Sequence, residues 1–471
     1  MKHNNTRVAL AFAMGLSALH SFPLMALLSF AATPAFASWT ADESAKTISD
    51  GTFTINFYWK DESSTPRTIC LRDIKTYPAS PATLDLRTVE GDAGLRVVGI
   101  EAGWNGKNIG ELWFADTISS LLYFGCTSPT NTLVIPSALT SIGSYFKGAN
   151  YTGDLVIPPQ ITTIGGYAFE NGKYTSIDLS QATGLVTLGD QPFKNCNAIT
   201  NTLVIPPNIE VLGNQALAFN GAIVDGVAVM PLPGDLKLPG SIKKIGPYAL
   251  KNGYYTSIDF SDATNLVEIG NNAFAWEPSF KNTIGEVPCT DLDLSACVSL
   301  TNVGDYVFKR FGQVRSLVFP DSVQRIGTYI FHEKKNMLTN LVLSASLDNL
   351  ASIPFCQWED KKKRGVTHMY FRNCPTAIGG SLFDYVPQDS VICYLPKNRG
   401  YMEAWKDFVK ANPDAGLTLP PDDNSSQGTW KSGGGSATQC AKVVWYNAKY
   451  PTPDGFYIIV RPGSSSGTCT R

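Results

Sequence analysis

The chain has 471 residues and a formal net charge of -2, with 44% hydrophobic and only 17% charged residues. Such a near-neutral chain lacks the basic face that binding to a phosphate backbone requires, so no nucleic-acid partner is expected. The apolar fraction supports a sizeable core and excludes a globally disordered chain.

Residues 1–37 have the pattern of an export signal. Lys2 and Arg7 precede a long apolar run, and Ala35 to Ala37 supply the small residues of a cleavage site. Because the run is longer than usual, an uncleaved membrane anchor is the alternative. No later stretch is long and apolar enough to span a bilayer, so we predict no transmembrane span in the mature chain. The mature chain is expected to begin near Ser38 and to be secreted or displayed at the cell surface.

Residues 38–93 show little periodicity. Thr52 to Tyr58 alternates apolar and polar residues in the manner of a β-strand. A repeat array needs a shielding cap at each end. We therefore predict an N-terminal β cap over this segment.

A repeat runs through residues 94–416. Leu133-Val134-Ile135-Pro136, followed by Ile142-Gly143, is one clear copy, and similar segments recur along the chain. The first marker glycines are Gly143, Gly165, Gly189, Gly213, Gly246 and Gly270, and most neighbours in this series lie 22 or 24 residues apart. The segments 167–190 and 248–271 also match at 15 of 24 positions. A period in the low twenties is typical of leucine-rich repeats, whose units bury their apolar faces only by stacking.

The residues of one unit predict its conformation. The first and third residues of each strand are expected to point inward and the second outward. A following proline ends the strand, the marker glycine permits a turn, and a phenylalanine closes the core from the opposite wall. The predicted fold is a β-rich leucine-rich-repeat solenoid of short parallel strands, with turns and an irregular or short helical outer wall.

The outward strand positions form two columns on one sheet surface. The positions that we propose for partner binding are Asp154, Asp178, Asp235, Asp259, Asp291, Asp293 and Tyr370. The six aspartates, with Lys237 among them, make the middle of this surface acidic. It is either a solvated sheet whose charge blocks aggregation or a docking strip for a basic or calcium-bridged partner.

The repeats resemble a known family. The pattern L-x-I-P, x-I-G and x-A-F, followed by N or C, is similar to the BspA-like class of leucine-rich repeats, and 391–405 resembles its terminal unit. Pro354 in place of a glycine, and Leu217 and Leu250 in place of phenylalanine, depart from the pattern. The resemblance implies an exported, mainly bacterial surface protein that adheres to an extracellular protein, such as a matrix protein, or to another cell. A glycan-binding or structural cell-envelope component is the alternative.

The sequence contains no complete catalytic, metal-binding or cofactor motif, so we predict that the protein is not an enzyme and has no cofactor. Gly463 to Gly467 matches the nucleophile elbow G-x-S-x-G, but no histidine follows it. His332 opens an incomplete H-E-x-x-H motif. Carboxylates are plentiful, yet nothing singles out a glycosidase pair.

The ten cysteines follow the export signal, where disulfides are permitted. Two local pairs are the candidates for disulfides, Cys289 with Cys297 and Cys440 with Cys469. Cys196 follows Phe193 as F-x-x-C, and the family resemblance implies that it lines the core.

Residues 417–471 are predicted to be a linker and a small tail module. Proline, glycine and serine are concentrated between 420 and 436, which is typical of a flexible connection. Beyond it, 443–446 and 455–460 have the composition of a small hairpin.

Overall fold

The computed structural model describes most of the chain beyond residue 37. The described residues are 38–446, apart from 123, 200, 202–203, 219–221, 225–226, 230–233, 278–286, 333–337, 348, 351–355, 358–366, 375–376, 379–390, 398, 416, 424 and 433–438. Several positions discussed above lie outside the described residues: the predicted export signal, Pro354, 455–460, Cys469 and the G-x-S-x-G match.

The N-terminal segment forms an antiparallel sheet joined to the repeats. Its strands are Thr40–Asp42, Thr47–Ser49, Thr54–Asp61 and Arg67–Thr76. The last of them pairs in parallel with Leu95–Ile100, which pairs with Ser120–Leu121. A second parallel pair joins Ala82–Asp85 to Ile109–Trp113, and a short helix spans Val89–Ala93. The change from antiparallel to parallel pairing marks the start of the repeat array.

The repeats place one set of parallel strands on a common surface, which we call the strand face. Its strands in the described residues are Thr152–Val156, Lys173–Asp178, Gly234–Lys237, Tyr255–Asp259, Asp291–Asp293, Ser316–Val318, Asn340–Val342, His368–Tyr370 and Val391–Pro396. The pairing between neighbours is parallel. Leu155 is fully buried whereas Val156 is 44% exposed, so the predicted inward and outward alternation is confirmed.

Two asparagine side chains bridge neighbouring turns of the strand face. The amide of Asn131 accepts a hydrogen bond from the Leu112 backbone N–H and donates one to the Leu112 carbonyl. Asn201 does the same with both backbone groups of Ile177. Each amide therefore satisfies backbone groups that a neighbouring strand would otherwise satisfy.

A second parallel sheet runs along the marker glycines. Its eight two-residue strands are Ser141–Ile142, Thr163–Ile164, Thr187–Leu188, Val211–Leu212, Lys244–Ile245, Glu268–Ile269, Asn302–Val303 and Arg325–Ile326. A Cβ atom added at Gly213 would lie 2.6 Å from the Gly189 carbonyl carbon. The glycines are required because successive turns bring their backbones into contact, which is a different reason from the turn geometry that the sequence suggested.

Aromatic rings stack through the core behind this sheet. Phe169 packs against Phe146 and Phe193 with centroid separations of 5.6 and 5.4 Å. Leu217 and Leu250, which depart from the family pattern, are both fully buried and continue the core. The change from phenylalanine to leucine therefore alters the packing of two turns without opening the core.

The C-terminal end adds a helix and three strands. The helix Arg399–Ala411 buries Trp405, and the strands are Leu417–Thr418, Gly428–Ser432 and Gln439–Tyr446. The last strand pairs in parallel with Val391–Pro396. The segment that we predicted as linker and tail thus continues the sheet as far as 446, because its β-rich residues pair with the strand edge left open by the last repeat.

Short elements complete the described structure. They are the hairpin Ala222–Val224 with Val227–Val229, the parallel pairs Phe331–His332 with Cys356–Gln357 and Asn349–Leu350 with Ala377–Ile378, and the 3-10 helices Ser144–Phe146 and Pro413–Ala415. Within the described ranges, no helix is long and apolar enough to cross a membrane.

The predicted Cys289–Cys297 disulfide is wrong, because both side chains are buried free thiols. The Cys289 thiol donates to the Asp291 carbonyl 3.4 Å away. Burial raises the pKa of Cys289 to about 11 and that of Cys297 to about 12. Cys196 is buried as well, as the resemblance implied.

Candidate functional site

The strand face brings the predicted columns into register. Asp154 lies beside Ser176, and Val156 lies beside Asp178. One internal repeat later, Asp235 lies beside Ser257 and Lys237 beside Asp259. Asp291 and Asp293 occupy the same two columns further along, next to Ser316 and Val318. The six predicted aspartates therefore share one surface.

Three of these aspartates end their strands with the same hydrogen bond. A carboxylate oxygen of Asp178 accepts the Ser180 backbone N–H at 2.8 Å. Asp259 accepts the Ser261 N–H at 2.8 Å, and Asp293 accepts the Ser295 N–H at 2.9 Å. In several other repeats a proline stands at this position, as Pro158, Pro239 and Pro320 do, and it has no N–H to satisfy. The sequence signal D-x-S was visible, but its structural role was missed.

The other three aspartates bind neighbouring hydroxyl groups. Asp154 accepts a hydrogen bond from the Ser176 hydroxyl, and Asp235 accepts the Ser257 hydroxyl at 2.7 Å. Asp291 accepts the hydroxyl of the adjacent Thr290 at 2.8 Å. These are exposed contacts between side chains, so the carboxylates remain open to solvent.

Lys237 moderates the charge in the middle of the strand face. Its ammonium lies 2.8 Å from an Asp262 carboxylate oxygen and 3.9 Å from one of Asp259. The hydrogen bond to Asp262 raises the pKa of Lys237. Hydrogen bonds from Thr256 and Ser257 lower the pKa of Asp235, and those from Ser261 lower that of Asp259. These carboxylates are charged at neutral pH, so the face presents more negative than positive groups.

Exposure on the strand face falls toward its C-terminal end. Val134, Val156 and Val204 are 54%, 44% and 58% exposed, as outward positions should be. Val318 occupies the same column but is only 6% exposed, so the expectation of an open outward position is wrong there. The open part of the face is the part that carries the aspartates.

Tyr370 belongs to an aromatic group at the C-terminal end of the face. Its ring stacks on Tyr394 with a centroid separation of 4.4 Å and an interplanar angle of 9°. His368 stacks on Tyr394 at 5.9 Å. All three side chains are half-buried, and burial lowers the pKa of His368 and raises that of Tyr394. The strand register pairs Tyr394 with Tyr370. The two residues are also 24 positions apart in the sequence, which is the usual length of one repeat.

No set of three or more possible metal ligands from histidine, cysteine, aspartate and glutamate occurs among the described residues. The described part of the chain does not include Glu333, the basic run 361–364 or the side chain of His332. The strand face offers hydrogen-bonding groups, charge and a few exposed valines, and such groups suit recognition of a surface.

Comparison with known families gives one extended match. A model described as BspA type leucine-rich repeat region matches 6 copies over residues 116–225, 234–297 and 287–386. Together these cover more than half of the chain. No curated protein matches.

Three solved structures are similar to the chain. A leucine-rich repeat protein from Bacteroides ovatus is 16% identical, with a TM-score of 0.23 over 75% of this chain and 95% of that one. The pneumococcal vaccine antigen PcpA is 15% identical, with a TM-score of 0.29 over 78% and 96% of the respective chains. A leucine-rich cell surface protein from Faecalibacterium prausnitzii is 14% identical, with a TM-score of 0.24 over 68% and 97%.

Proposed function

Because the chain belongs to the BspA-type leucine-rich-repeat family, we propose that it is a non-enzymatic binding protein of the cell exterior. Its partner is an extracellular protein or a cell-surface ligand, and its binding surface is the strand face. The observation that carries the proposal is the common surface formed by the six aspartates, three of which lie beside a serine of the next strand.

The physical basis of the proposal is a rigid surface with fixed groups. Parallel pairing sets the position of each strand, and the hydrogen bonds described above hold several carboxylates in one orientation. Groups fixed in advance lose little conformational freedom on binding. The excess of aspartate favours a partner with basic groups, since complementary charge raises both the association rate and the specificity.

The test is a binding panel with the purified chain immobilised. Matrix proteins, cell-surface proteins and whole cells are applied at increasing salt concentrations. The triple variant Asp178→Asn, Asp259→Asn and Asp293→Asn removes three charges while keeping an oxygen that can accept each serine N–H. We expect saturable binding of a protein partner that weakens with salt and falls by about tenfold in the triple variant.

The matched control is the triple variant Glu62→Gln, Asp73→Asn and Asp407→Asn, which removes three exposed charges away from the strand face. It should bind as the unmodified chain does. If both triple variants lost the same amount of affinity, the loss would result from net charge alone, and the strand face would be rejected as the binding surface. Absence of binding to the whole panel would contradict the protein-binding proposal.

A second candidate function is glycan binding, and the stacked rings of Tyr370 and Tyr394 favour it. Aromatic side chains supply large, stiff contact areas of the kind that recognition surfaces use. A glycan array distinguishes the two functions. Binding to neutral glycans that is lost in Tyr370→Ala, but kept in the aspartate triple variant, would support this candidate over the first.

We also propose that residues 1–37 direct export and are removed. Positive residues followed by an apolar run and small residues support this proposal. N-terminal sequencing of the protein secreted by an expressing bacterium should begin at or near Ser38. A chain that retains Met1 in the membrane fraction would indicate an uncleaved anchor.

A further inference from the structure

A second surface lies on the turn that follows each marker glycine. We call it the tyrosine–lysine wall and define it by Lys147, Tyr167, Lys194, Tyr248, Lys251, Tyr306 and Lys309. None of these residues belongs to the strand face. The surface is thus independent of the site proposed above.

The tyrosines of this wall occupy an unfavourable backbone conformation. Tyr167, Tyr248 and Tyr306 have φ values of 58°, 56° and 56°. A bulky side chain is rare in this region, which glycine and asparagine enter more easily. The equivalent position in another turn is Asn272, with a φ of 55°. A side chain kept at a conformational cost indicates a role other than folding of the turn.

Lysine ammonium groups lie against these rings. Lys147 and Lys194, from the turns before and after, are 5.2 and 5.4 Å from the Tyr167 ring centroid. Lys251 lies 5.2 Å from the Tyr248 ring, and Lys309 lies 5.5 Å from the Tyr306 ring. Attraction between a cation and a ring face limits where each ammonium can move.

A glutamate between two lysines fixes them further. Glu170 lies 2.7 Å from Lys147 and 3.7 Å from Lys194, and its side chain is only 9% exposed. The two lysine side chains are 54% and 42% exposed. The carboxylate therefore lies beneath two ammonium groups that still face solvent. We call Lys147, Glu170 and Lys194 a triad. Its two ammonium groups and one carboxylate give the surface one net positive charge.

A second glutamate also joins two lysines further along the array, but there the lysine side chains are only 23% and 18% exposed. Glu277 lies 3.0 Å from Lys251 and 2.6 Å from Lys309. Neighbouring parallel strands are about 4.8 Å apart, so two triads centred four turns apart are separated by roughly 19 Å. The turn between Lys194 and Lys251 presents the neutral side chains of Gln215 and Ala218.

We propose that the tyrosine–lysine wall binds an acidic polysaccharide, a polymer with carboxylate or sulfate groups at regular intervals. The first triad holds two exposed ammonium groups in place for one anionic group, and the second holds two that are partly exposed. The exposed phenol of Tyr167 suits a sugar hydroxyl. A single small anion contacts one triad, whereas a polymer contacts both. Such bivalent contact raises affinity through the effective concentration of the second group.

The test measures binding of the full chain to polygalacturonate and to heparin, with neutral dextran and duplex DNA as comparison polymers. We expect saturable binding of the two acidic polysaccharides that weakens with salt, and none of dextran. Lys147→Gln with Lys194→Gln should weaken binding by about tenfold. A tetrasaccharide of galacturonate should bind more weakly than the polymer by a similar factor.

The matched control is Lys243→Gln with Lys244→Gln. These lysines are 55% and 48% exposed and pair with Glu210 and Glu268, but they lie outside the wall. The control should change polysaccharide affinity by less than about twofold. Equal losses in the two double variants, or DNA bound as tightly as the polysaccharides, would overturn the proposal.

Tyr167→Asn separates binding from folding. Asparagine suits a φ of 58°, so this variant should unfold at the same or a higher temperature than the unmodified chain. It should nevertheless bind polygalacturonate more weakly, because the ring no longer positions Lys147 and Lys194. Unchanged affinity in a folded Tyr167→Asn variant would contradict the role assigned to the ring. The aspartate triple variant of the strand face should bind the polysaccharides unchanged, which distinguishes this proposal from the first.

Discussion

Asp178, Asp259 and Asp293 combine a structural hydrogen bond with an exposed negative charge. The hydrogen bond to a serine N–H two residues ahead ends the strand, and the charge faces the strand-face surface. Both functions are lost together when alanine replaces aspartate. Asparagine removes the charge alone, since its amide oxygen can still accept the N–H.

This difference predicts unequal stabilities for two Asp178 variants. Asp178→Ala should lower the free energy of unfolding by about 1 kcal/mol, because the Ser180 N–H loses its acceptor. Asp178→Asn should lower it by less than about 0.5 kcal/mol. Urea unfolding followed by circular dichroism measures both values. Equal losses would show that the charge of Asp178, and not its hydrogen bond, stabilises the turn.

The buried thiols allow a second prediction at the residue scale. Burial raises the pKa values of Cys289 and Cys297, so little of either side chain is thiolate at neutral pH. Neither should react with iodoacetamide in the native protein. After denaturation without a reductant, both should be alkylated, and peptide mass spectrometry locates the modification. A mass consistent with a bond between the two peptides would contradict the structure.

Neighbouring turns are joined by side chains as well as by strands. Asn131 and Asn201 bridge turns of the strand face, and Glu277 binds lysines from the turns before and after it. Burial alone would raise the pKa of Glu277, but hydrogen bonds from Lys309 and Lys251 outweigh it and lower the pKa to about 2. The ionised carboxylate thus stabilises the stack of three turns.

The lowered pKa predicts how Glu277 contributes to stability at different pH. Its ordinary value is 4.5, so its contribution is complete above that pH and is lost as the pH falls from 4.5 toward about 2. Glu277→Gln should lower the free energy of unfolding by roughly 2–3 kcal/mol at pH 7. The difference from the unmodified chain should narrow below pH 4.5, because glutamine resembles protonated glutamate. Urea unfolding at pH 7, 5 and 3 measures this, and a gap that stays constant would contradict it.

The elements differ in how far their sequence predicts them. The alternation around Leu155 and the marker glycines depends on local pattern, which the repeat displays many times, so the strands and their inward residues were predictable. The burial of Val318 was not, because the same alternation places this residue on the outward side of its strand. The backbone conformation of Tyr167 was also hidden, since its side chain gives no local sign of a positive φ.

The strand that ends the described chain illustrates the same limit. Serine and glycine near 433 are typical of a linker, yet Gln439–Tyr446 pairs with a strand that precedes it by many residues. Pairing of this kind depends on an available strand edge, which local composition does not reveal. Of the candidate site, sequence predicted the columns of the strand face but not the second surface, because the latter depends on contacts between three turns.

The molecule as a whole is a linear array in which each turn contacts its immediate neighbours. Stability in such an array is approximately a sum of terms for single turns and for the interfaces between them. The marker glycines form those interfaces along the second sheet, where the Gly213 N–H donates to the Leu188 carbonyl and the Gly246 N–H to the Leu212 carbonyl. A defect at one glycine should therefore act first on the adjacent turns.

Gly213→Ala tests this view of the whole molecule. The added methyl group would lie 2.6 Å from the Gly189 carbonyl carbon and 2.7 Å from its oxygen, so two turns must separate, at a cost of about 1–3 kcal/mol. Hydrogen exchange should accelerate at the amides of residues 213 and 246, but the amide of Gly327, which donates to the Val303 carbonyl, should exchange as before. Gly91→Ala is the control, because a methyl group there meets nothing within 4 Å. Equal acceleration at Gly213 and Gly327 would mean that the array unfolds as one cooperative unit, and that its turns are not independent of distant ones.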